Sequence, residues 1–369
     1  MIKILPFLVV GFLLAGALGS CKKHLTEPPQ DTVKKCDTCS DTTHHPCDTC
    51  NINRDSLAHA FNWTEYIDRM PGETSPTGVW VFGQNDIYIV GDYLWHFDGS
   101  SFMIVPAFDR TYNNITLNGG LNGMSIFAFS KTDFWMVHGS IVFHTTDGQY
   151  FDDIRPGNVN ACWGLADNDV FIVGNSGHIA HWDGTKFTDM TSNTTKSIGQ
   201  IWGTSDNNIW ASGWNESTAE SVLLHYDGST WTVQDLSKIG NIGVGKDALI
   251  SVWTCDSAFH HITVTGGSFV YRTTDNSSWH TDTLKNTLGG GGYAGLNQIR
   301  GNSSTDFMVQ GSGGFLSHWN GKSWYFYQQF FDWSSPDYDI GAFSFNGNTA
   351  CMVGHKSGAS WVLVGQRNH

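Results

Sequence analysis

Two Cys-x-x-Cys pairs near the amino terminus are the first residues of this chain that suggest chemistry. The stretch CDTCSDTTHHPCDTC, residues 36–50, separates the pairs by seven residues and places two histidines between them. Zinc sites use such pairs, but known zinc ribbons and fingers have a longer span between them. We predict no metal here and interpret the stretch as part of a tether, with local disulfides as an alternative in an oxidising compartment. The cysteines concerned are Cys36, Cys39, Cys47 and Cys50.

Five histidines recur near one position of an internal repeat and would be a second candidate metal site. They are His96, His144, His181, His225 and His318. Equivalent positions of a ring of repeats lie far apart, so these side chains cannot converge on one ion. We predict that each imidazole satisfies backbone groups within its own repeat. Neither a metal nor a cofactor is predicted.

Two segments resemble degenerate Asp boxes of the sialidase type, HTTDGQYF (144–151) and RTTDNSSW (272–279). An Asp box is a turn motif, so the match does not establish catalysis. Sialidase chemistry needs several arginines and a Tyr nucleophile supported by Glu. Asp109 or Asp337 with Glu216 would be a candidate carboxylate pair, but the sequence does not give their separation. We predict no catalytic residues, with a divergent glycoside hydrolase or lyase as the alternative function.

An internal repeat occupies most of the chain from residue 57 onward. One unit reads IWGTSDNNIWASG (201–213) followed by LLHYDGSTWTV (223–233), and seven units are recognisable. Asn-Asp and Asp-Gly turns separate short segments rich in β-branched and aromatic residues, which predicts four strands in each unit. The period of about 45 residues is typical of β-propeller blades.

The predicted fold is all-β, a seven-bladed β-propeller of four-stranded blades over residues 57–369. The last unit ends at SWVLVGQ (360–366), its third strand, whereas FNWTEY (61–66) precedes the first unit as an unpaired strand. We expect this N-terminal strand to complete the last blade and close the ring. Cys162, Cys255 and Cys351 lie in apolar strand segments and are predicted to be buried free thiols.

The amino terminus has the pattern of a secretion signal. Residues 1–3 include a lysine, residues 4–18 are uncharged, and Leu-Gly-Ser precedes Cys21. This pattern resembles a bacterial lipoprotein signal peptide, which implies cleavage after residue 20 and lipidation of Cys21. Residues 21–56 contain few large apolar side chains and are predicted to be a flexible tether.

The charge of the chain limits its partners. It has 20 Lys and Arg against 34 Asp and Glu, a formal net charge of −14. Because phosphate binding requires a basic surface, we predict no nucleic-acid partner. We expect a monomer that contacts the membrane only through its lipid anchor.

The repeat as a whole resembles the β-propeller lipoproteins of Bacteroidota and related bacteria. These proteins carry a Trp-Gly…Asn-Asp-Ile-Trp…His-Tyr-Asp-Gly…Trp pattern after a tether, and the matching residues cover most of 57–369. The resemblance implies a lipid-anchored, extracytoplasmic protein at the bacterial outer membrane. Because most members have no assigned function, it implies no catalytic residue.

The connections between strands predict where a ligand would bind. Strand direction alternates in a blade, so the short Asn-Asp and Asp-Gly turns share one face and the longer, unrepeated connections share the other. We predict that a non-catalytic binding or scaffold function, for a glycan or protein ligand, uses this second face. The candidate ligand residues are Arg110, Tyr112, Trp214, Glu216, Tyr293, Trp333, Asp337 and Tyr338.

Overall fold

The structure is a computed structural model. It describes residues 59–72, 75–117, 121, 123–215, 217–218, 220–238, 249–256, 259–264, 269–273, 279–283, 296–330 and 338–368. Within these ranges the regular structure is β-strand, apart from short 3₁₀ turns at Asn175–Gly177, Leu236–Lys238, Ser312–Gly314 and Gln328–Phe330. No helix in the described part of the chain is long and apolar enough to cross a membrane.

The described strands form seven sheets, numbered here by their order in the chain. The first strand is β1 (Phe61–Ile67). Sheet 1 contains β2 (Gly78–Gly83), β3 (Asp86–Val90), β4 (Leu94–Phe97) and β5 (Phe102–Ile104). Sheet 2 contains β6 (Phe108–Asp109), β7 (Ile115–Thr116), β8 (Ser125–Ala128), β9 (Phe134–His138), β10 (Ile141–Thr145) and β11 (Tyr150–Ile154).

Sheets 3 to 5 each contain four consecutive strands. Sheet 3 contains β12 (Ala161–Ala166), β13 (Asp169–Val173), β14 (Ile179–Trp182) and β15 (Phe187–Asp189). Sheet 4 contains β16 (Ser197–Ser205), β17 (Asn208–Trp214), β18 (Ser221–Tyr226) and β19 (Trp231–Val233). Sheet 5 contains β20 (Leu249–Asp256), β21 (Phe259–Val264), β22 (Phe269–Thr273) and β23 (Trp279–Thr283).

The last two sheets complete the ring. Sheet 6 contains β24 (Leu296–Ser303), β25 (Asp306–Gly311), β26 (Phe315–Trp319) and β27 (Trp324–Phe326). Sheet 7 contains β28 (Tyr338–Asn346), β29 (Thr349–Lys356), β30 (Ala359–Arg367) and the N-terminal strand β1. The strand β1 pairs antiparallel with β30, from Phe61 opposite Arg367 to Ile67 opposite Trp361. The N-terminal strand therefore completes the last sheet, as predicted.

The fold is an all-β propeller of four-stranded antiparallel sheets, but the predicted number of four-stranded blades is wrong. The described residues form six four-stranded sheets, whereas sheet 2 has six strands. Its extra strands come from the connection after sheet 1, where β6 pairs in parallel with the outermost strand β11, and β7 pairs with β6. An outermost strand has a free edge of N–H and C=O groups, and this hairpin covers it.

The first strand of each sheet lies at the centre of the ring. The strands β2, β8, β12, β16, β20, β24 and β28 contact one another in this order, and β28 returns to β2. Apolar side chains fill the spaces between sheets, with Trp95, Trp135 and Trp361 fully buried. The ring therefore holds seven inner strands side by side around one axis.

The predicted Asp-Gly turns join the third and fourth strands. In sheet 1, Asp98 Oδ1 accepts the backbone N–H groups of Ser100 and Ser101, both at 2.8 Å, and Gly99 has a φ of +95°. The same contacts recur at Asp183 and Asp227. These repeated aspartates therefore stabilise turns.

Candidate functional site

Two of the predicted ligand residues lie at the outer edge of sheet 2. Arg110 follows β6 and forms ion pairs with Asp147, at 2.9 Å, and Asp152, at 3.1 Å. Tyr112 is 46% exposed, and the guanidinium carbon of Arg155 lies 5.5 Å from its ring centroid. The hairpin β6–β7 brings these two residues together, and the charge of Arg110 is already paired there.

The other predicted ligand residues are not brought into one cluster by the described structure. Trp214 ends β17 in sheet 4, where its half-buried ring lies over Gly199. Tyr338 begins β28 in sheet 7, opposite Lys356. The remaining candidates, Glu216, Tyr293, Trp333 and Asp337, lie outside the described residues, as do Cys21 and the four tether cysteines.

Four of the five repeated histidines bind carboxylates, which corrects the backbone partners predicted for them. His96, His144, His181 and His318 each contact, through Nε2, an Asp at the start of the second strand of the same sheet, which for His144 is Asp133, directly before β9. These N–O distances are 2.8, 3.1, 2.7 and 2.8 Å, in that order. Most of these imidazoles also pack on an aromatic ring of the second strand, and the His144 ring stacks 3.9 Å from that of Trp135. Each pair lies within its own sheet, so the role remains structural.

The first Asp-box-like segment is a turn, as its sequence indicates. Asp147 Oδ1 accepts the backbone N–H groups of Gln149, at 2.9 Å, and Tyr150, at 2.7 Å. Asp109 is 5% exposed and accepts the N–H groups of Thr111 and Tyr112 in the same way. Both carboxylates therefore hold backbone turns at the edge of sheet 2.

Two of the three cysteines of the described strands have thiols that burial makes unreactive. Cys162 and Cys351 are buried free thiols, as predicted, whereas Cys255 is partly exposed. Burial in apolar surroundings raises the pKa of Cys162 to about 12 and also raises the pKa of Cys351. Among the described side chains, no group of three or more His, Cys, Asp or Glu residues is placed to hold a metal ion.

The centre of the ring carries a feature that the sequence analysis missed. Strand pairing aligns one position of the seven inner strands, which we call the axial ring: Trp80, Phe127, Trp163, Trp202, Trp253, Arg300 and Phe343. Six of these positions are aromatic, and sheet 6 alone has an arginine. Aligning the repeat copies by their Asn-Asp turns reveals the same substitution in the sequence.

Side chains of the axial ring meet across the middle of the propeller. The ring centroids of Trp80, in sheet 1, and Trp202, in sheet 4, lie 6.4 Å apart. Trp80 also packs edge-on against Phe127, at 5.0 Å. The guanidinium carbon of Arg300 lies over the Trp202 ring, 4.6 Å from its centroid. Trp80, Trp202 and Arg300 remain partly exposed, while the other ring members are buried.

The Arg300 guanidinium is held by neutral acceptors. Its Nη1 donates to the carbonyl oxygens of Ile299, at 2.7 Å, and Val252, at 3.4 Å, and its Nη2 donates to Gln200 Oε1, at 3.0 Å. Among the described residues, no carboxylate lies within ion-pair distance of the Arg300 guanidinium. Removal from solvent lowers the pKa of Arg300 from its usual value, but an arginine this basic stays charged at neutral pH. Among the described residues, the positive charge of Arg300 at the centre of the ring therefore has no carboxylate partner, although the protein is acidic overall.

Comparison with known proteins places the chain among propellers by structure alone. No family model matches it, and no curated protein matches it. YCF48 bound to D1 peptide is similar with a TM-score of 0.60 and 14% identity, over 83% of this chain and 97% of that one.

Two further solved structures have the same architecture. Virginiamycin B lyase from Staphylococcus aureus is similar with a TM-score of 0.62 and 12% identity, over 83% of this chain and 99% of that one. BBS1N in complex with ARL6DN is similar with a TM-score of 0.55 and 12% identity, over 83% of this chain and 97% of that one. At such low identity the likeness concerns the fold, and the chain is similar to these proteins as a β-propeller.

Proposed function

We propose that this protein is a non-catalytic binding propeller that holds a peptide or protein ligand at the axial ring. The observation that carries the proposal is Arg300, which replaces the aromatic residue of the other six sheets and has no carboxylate partner among the described residues. Because the other six sheets have an aromatic residue at this position, an arginine is not needed to form the sheet structure that they share. A largely buried cation without a carboxylate partner among the described residues costs stability, so a ligand-binding role explains its presence.

Solved complexes of similar propellers agree with a protein or peptide ligand. One neighbour is bound to D1 peptide, and another is in complex with ARL6DN. A glycan ligand, also predicted from the sequence, has no comparable support among these neighbours. The loop residues predicted from sequence, including Trp214 and Tyr338, are retained as candidate contacts around the same ligand.

The enzymatic alternative has weaker support, although one structural neighbour is a lyase. A glycoside hydrolase of the usual kind needs two carboxylates that flank the scissile bond. The axial ring contains no Asp or Glu, and neither do the positions two residues further along the inner strands. Asp109, a candidate acid, is buried and occupied by backbone N–H groups.

The cellular setting is part of the proposal and rests on the sequence. Residues 1–20 would be removed as a signal peptide, Cys21 would carry the lipid anchor, and residues 21–56 would tether a monomeric propeller to the bacterial outer membrane. The resemblance to Bacteroidota lipoproteins supports this location. Mass spectrometry of the native protein tests it, since an unmodified Cys21 at the mature N-terminus would contradict the anchor.

The binding function is tested by panning a random peptide display library, and in parallel a glycan array, on the immobilised protein. We expect enriched peptides whose affinity falls at least about tenfold in Arg300→Gln or Trp202→Ala. Lys186→Ala, in an exposed Asp-Gly turn, is the matched control and should retain affinity. Trp214→Ala reports on the loop residues in the same assay.

Two results would contradict this function. The first is a failure to enrich any peptide or glycan above a blank surface. The second is a set of ligands that bind the wild type and Arg300→Gln equally. Circular dichroism of each variant shows whether it is folded, so that lost binding is not confused with lost structure.

A further inference from the structure

The two side-chain amides near Arg300, those of Gln200 and Gln298, have only donor groups left to offer a ligand. Gln200 Oε1 faces the guanidinium, which has no acceptor atoms, so the Gln200 amide must direct its oxygen there. Gln298 Oε1 accepts the backbone N–H of Phe343 at 2.7 Å, which fixes that amide in the same way. Each amide therefore keeps only its NH₂ group for other partners.

The guanidinium itself also has donors to spare. It carries five N–H groups, and the described residues accept three hydrogen bonds from it, through Nη1 and Nη2. The Nε–H and one Nη2 hydrogen have no acceptor in the described structure. A charged group with two uncommitted donors, next to the Gln200 amide, is complementary to an acceptor-only anion. A carboxylate matches this arrangement, because it accepts two hydrogen bonds from a guanidinium in fork geometry.

The location of the free Arg300 and Gln200 donors near the axis of the ring favours the carboxylate at the end of a peptide chain. The side chains of Trp80, Trp202 and Arg300 meet near the axis of the ring, so we consider a ligand group that approaches Arg300 along that axis. An extended peptide that approaches end-on in this way presents its terminal carboxylate first. Trp202 is already contacted by Arg300 and Trp80, which leaves less of its face for stacking on a sugar.

We propose that the axial ring binds the C-terminal carboxylate of a peptide, with Arg300 as the charged partner and the Gln200 amide as a second donor. This inference rests on the proposed binding function and adds the chemical identity of the bound group. It makes the site specific for a free chain end, since an amidated terminus offers one acceptor and no charge.

The experiment uses ¹⁵N-arginine-labelled protein and follows the Arg300 Nε–H resonance, which is identified by its loss in Arg300→Lys. The probes are N-acetyl-Ala-Ala, its C-terminal amide, and glucuronate. We expect saturable shifts with the free acid and at least about tenfold weaker binding of the amide and of glucuronate.

A pair of isosteric variants tests the charge of the site. Gln200→Glu keeps an oxygen acceptor for Arg300 but supplies an internal carboxylate, so it should abolish binding of the free acid. Gln84→Glu makes the same change of net charge at an exposed turn residue and should bind like the wild type. Both variants conserve shape, so both are expected to fold.

Three outcomes would overturn the inference. Equal shifts with acid and amide would show that the carboxylate is not recognised. Binding of glucuronate without binding of N-acetyl-Ala-Ala would replace the peptide terminus by an acidic sugar. The absence of any shift at probe concentrations up to about 20 mM would exclude a carboxylate site of useful affinity. In each case panned ligands that still require Arg300 would leave the proposed binding function intact.

Discussion

Three glycines recur near the end of the second strand of a sheet, at a position where a single added Cβ atom does not fit. Gly91 and Gly174 directly follow β3 and β13, and Gly213 is the second-last residue of β17. A Cβ at each would collide with a backbone carbonyl oxygen at or just before the start of the first strand of the same sheet. Gly174 has a φ of −163°, an extended conformation that any residue adopts. Close approach of two backbone segments, and not conformational freedom, therefore requires glycine here.

Gly174→Ala should lower the free energy of unfolding by about 2 kcal/mol, because the carbonyl of Asn158 must move away from the new methyl group. Gly83→Ala is the matched control. Its Cβ would have no heavy atom within 4 Å, so we expect little change. Urea denaturation of both variants measures the difference. Equal stability of the two variants would show that the backbone at Gly174 relaxes without cost.

At the scale of single residues, the sequence contains a signal for the candidate site that was not predicted from it. The arginine at 300 is visible once the repeat copies are aligned, because six of the seven equivalent residues are aromatic. Its role was not predictable, since the partners of Arg300 come from strands about 50 and 100 residues earlier in the chain. The histidine partners were similarly hidden, because strand pairing is needed to place His181 beside Asp169.

Among the elements, β1 contributes most to closing the ring. Glu65 Oε1 accepts hydrogen bonds from Lys356 Nζ and Trp361 Nε1, both at 2.6 Å, and so joins β1 to β29 and β30. Partial desolvation opposes ionisation of Glu65, but the hydrogen bonds from Lys356 and Trp361 outweigh it and lower its pKa. Trp63 packs on Tyr327, at 5.1 Å, in the neighbouring sheet 6. The strand therefore connects two sheets.

Glu65→Ala should reduce the free energy of unfolding by about 1 kcal/mol, because it removes an acceptor from the buried Trp361 indole and the partner of Lys356. Glu220→Ala is the control, since Glu220 forms a longer ion pair with Lys196, at 3.5 Å, and accepts no hydrogen bond from a buried indole of the described residues. Thermal unfolding of both variants compares them. A larger effect for Glu220→Ala would contradict the importance of the closing strand.

The elements predicted correctly are those with a sequence signal of sufficient length. The N-terminal strand was predictable because Phe61 to Tyr66 has a strand pattern without a repeat unit of its own, and the last unit lacks a fourth strand. The hairpin β6–β7 was not, since Phe108–Asp109 and Ile115–Thr116 are two residues each and show no periodicity. That hairpin decides where Arg110 and Tyr112 lie, so their placement required the structure.

At the scale of the molecule, the closure of the ring contains a buried network of titratable groups. His318 is fully buried, and its Nε2 contacts Asp306 at 2.8 Å while its Nδ1 lies 2.9 Å from Nδ1 of His59. Asp306 also accepts a hydrogen bond from Arg367. Two facing imidazole nitrogens share one proton, so a second proton would leave two N–H groups opposed. The network therefore disfavours the state in which both imidazoles are protonated.

Stability should decrease as the pH falls below about 6.5. Burial lowers the pKa of His318, despite the opposing effect of Asp306, and burial also lowers the pKa of His225. The unfolded chain therefore takes up protons at a higher pH than the folded ring does. The stabilisation is complete above pH 6.5 and is lost progressively down to the folded pKa values.

The measurement is the free energy of unfolding in urea between about pH 7.5 and pH 5, above the range in which Glu65 and Asp306 titrate. His318→Gln keeps a hydrogen-bonding side chain of similar reach without a titrating group, so we expect a shallower slope. His318→Gln combined with His225→Gln should flatten it further, because both lowered pKa values contribute with the same sign. A slope that is unchanged in the double variant would show that other groups govern the acid sensitivity of the ring.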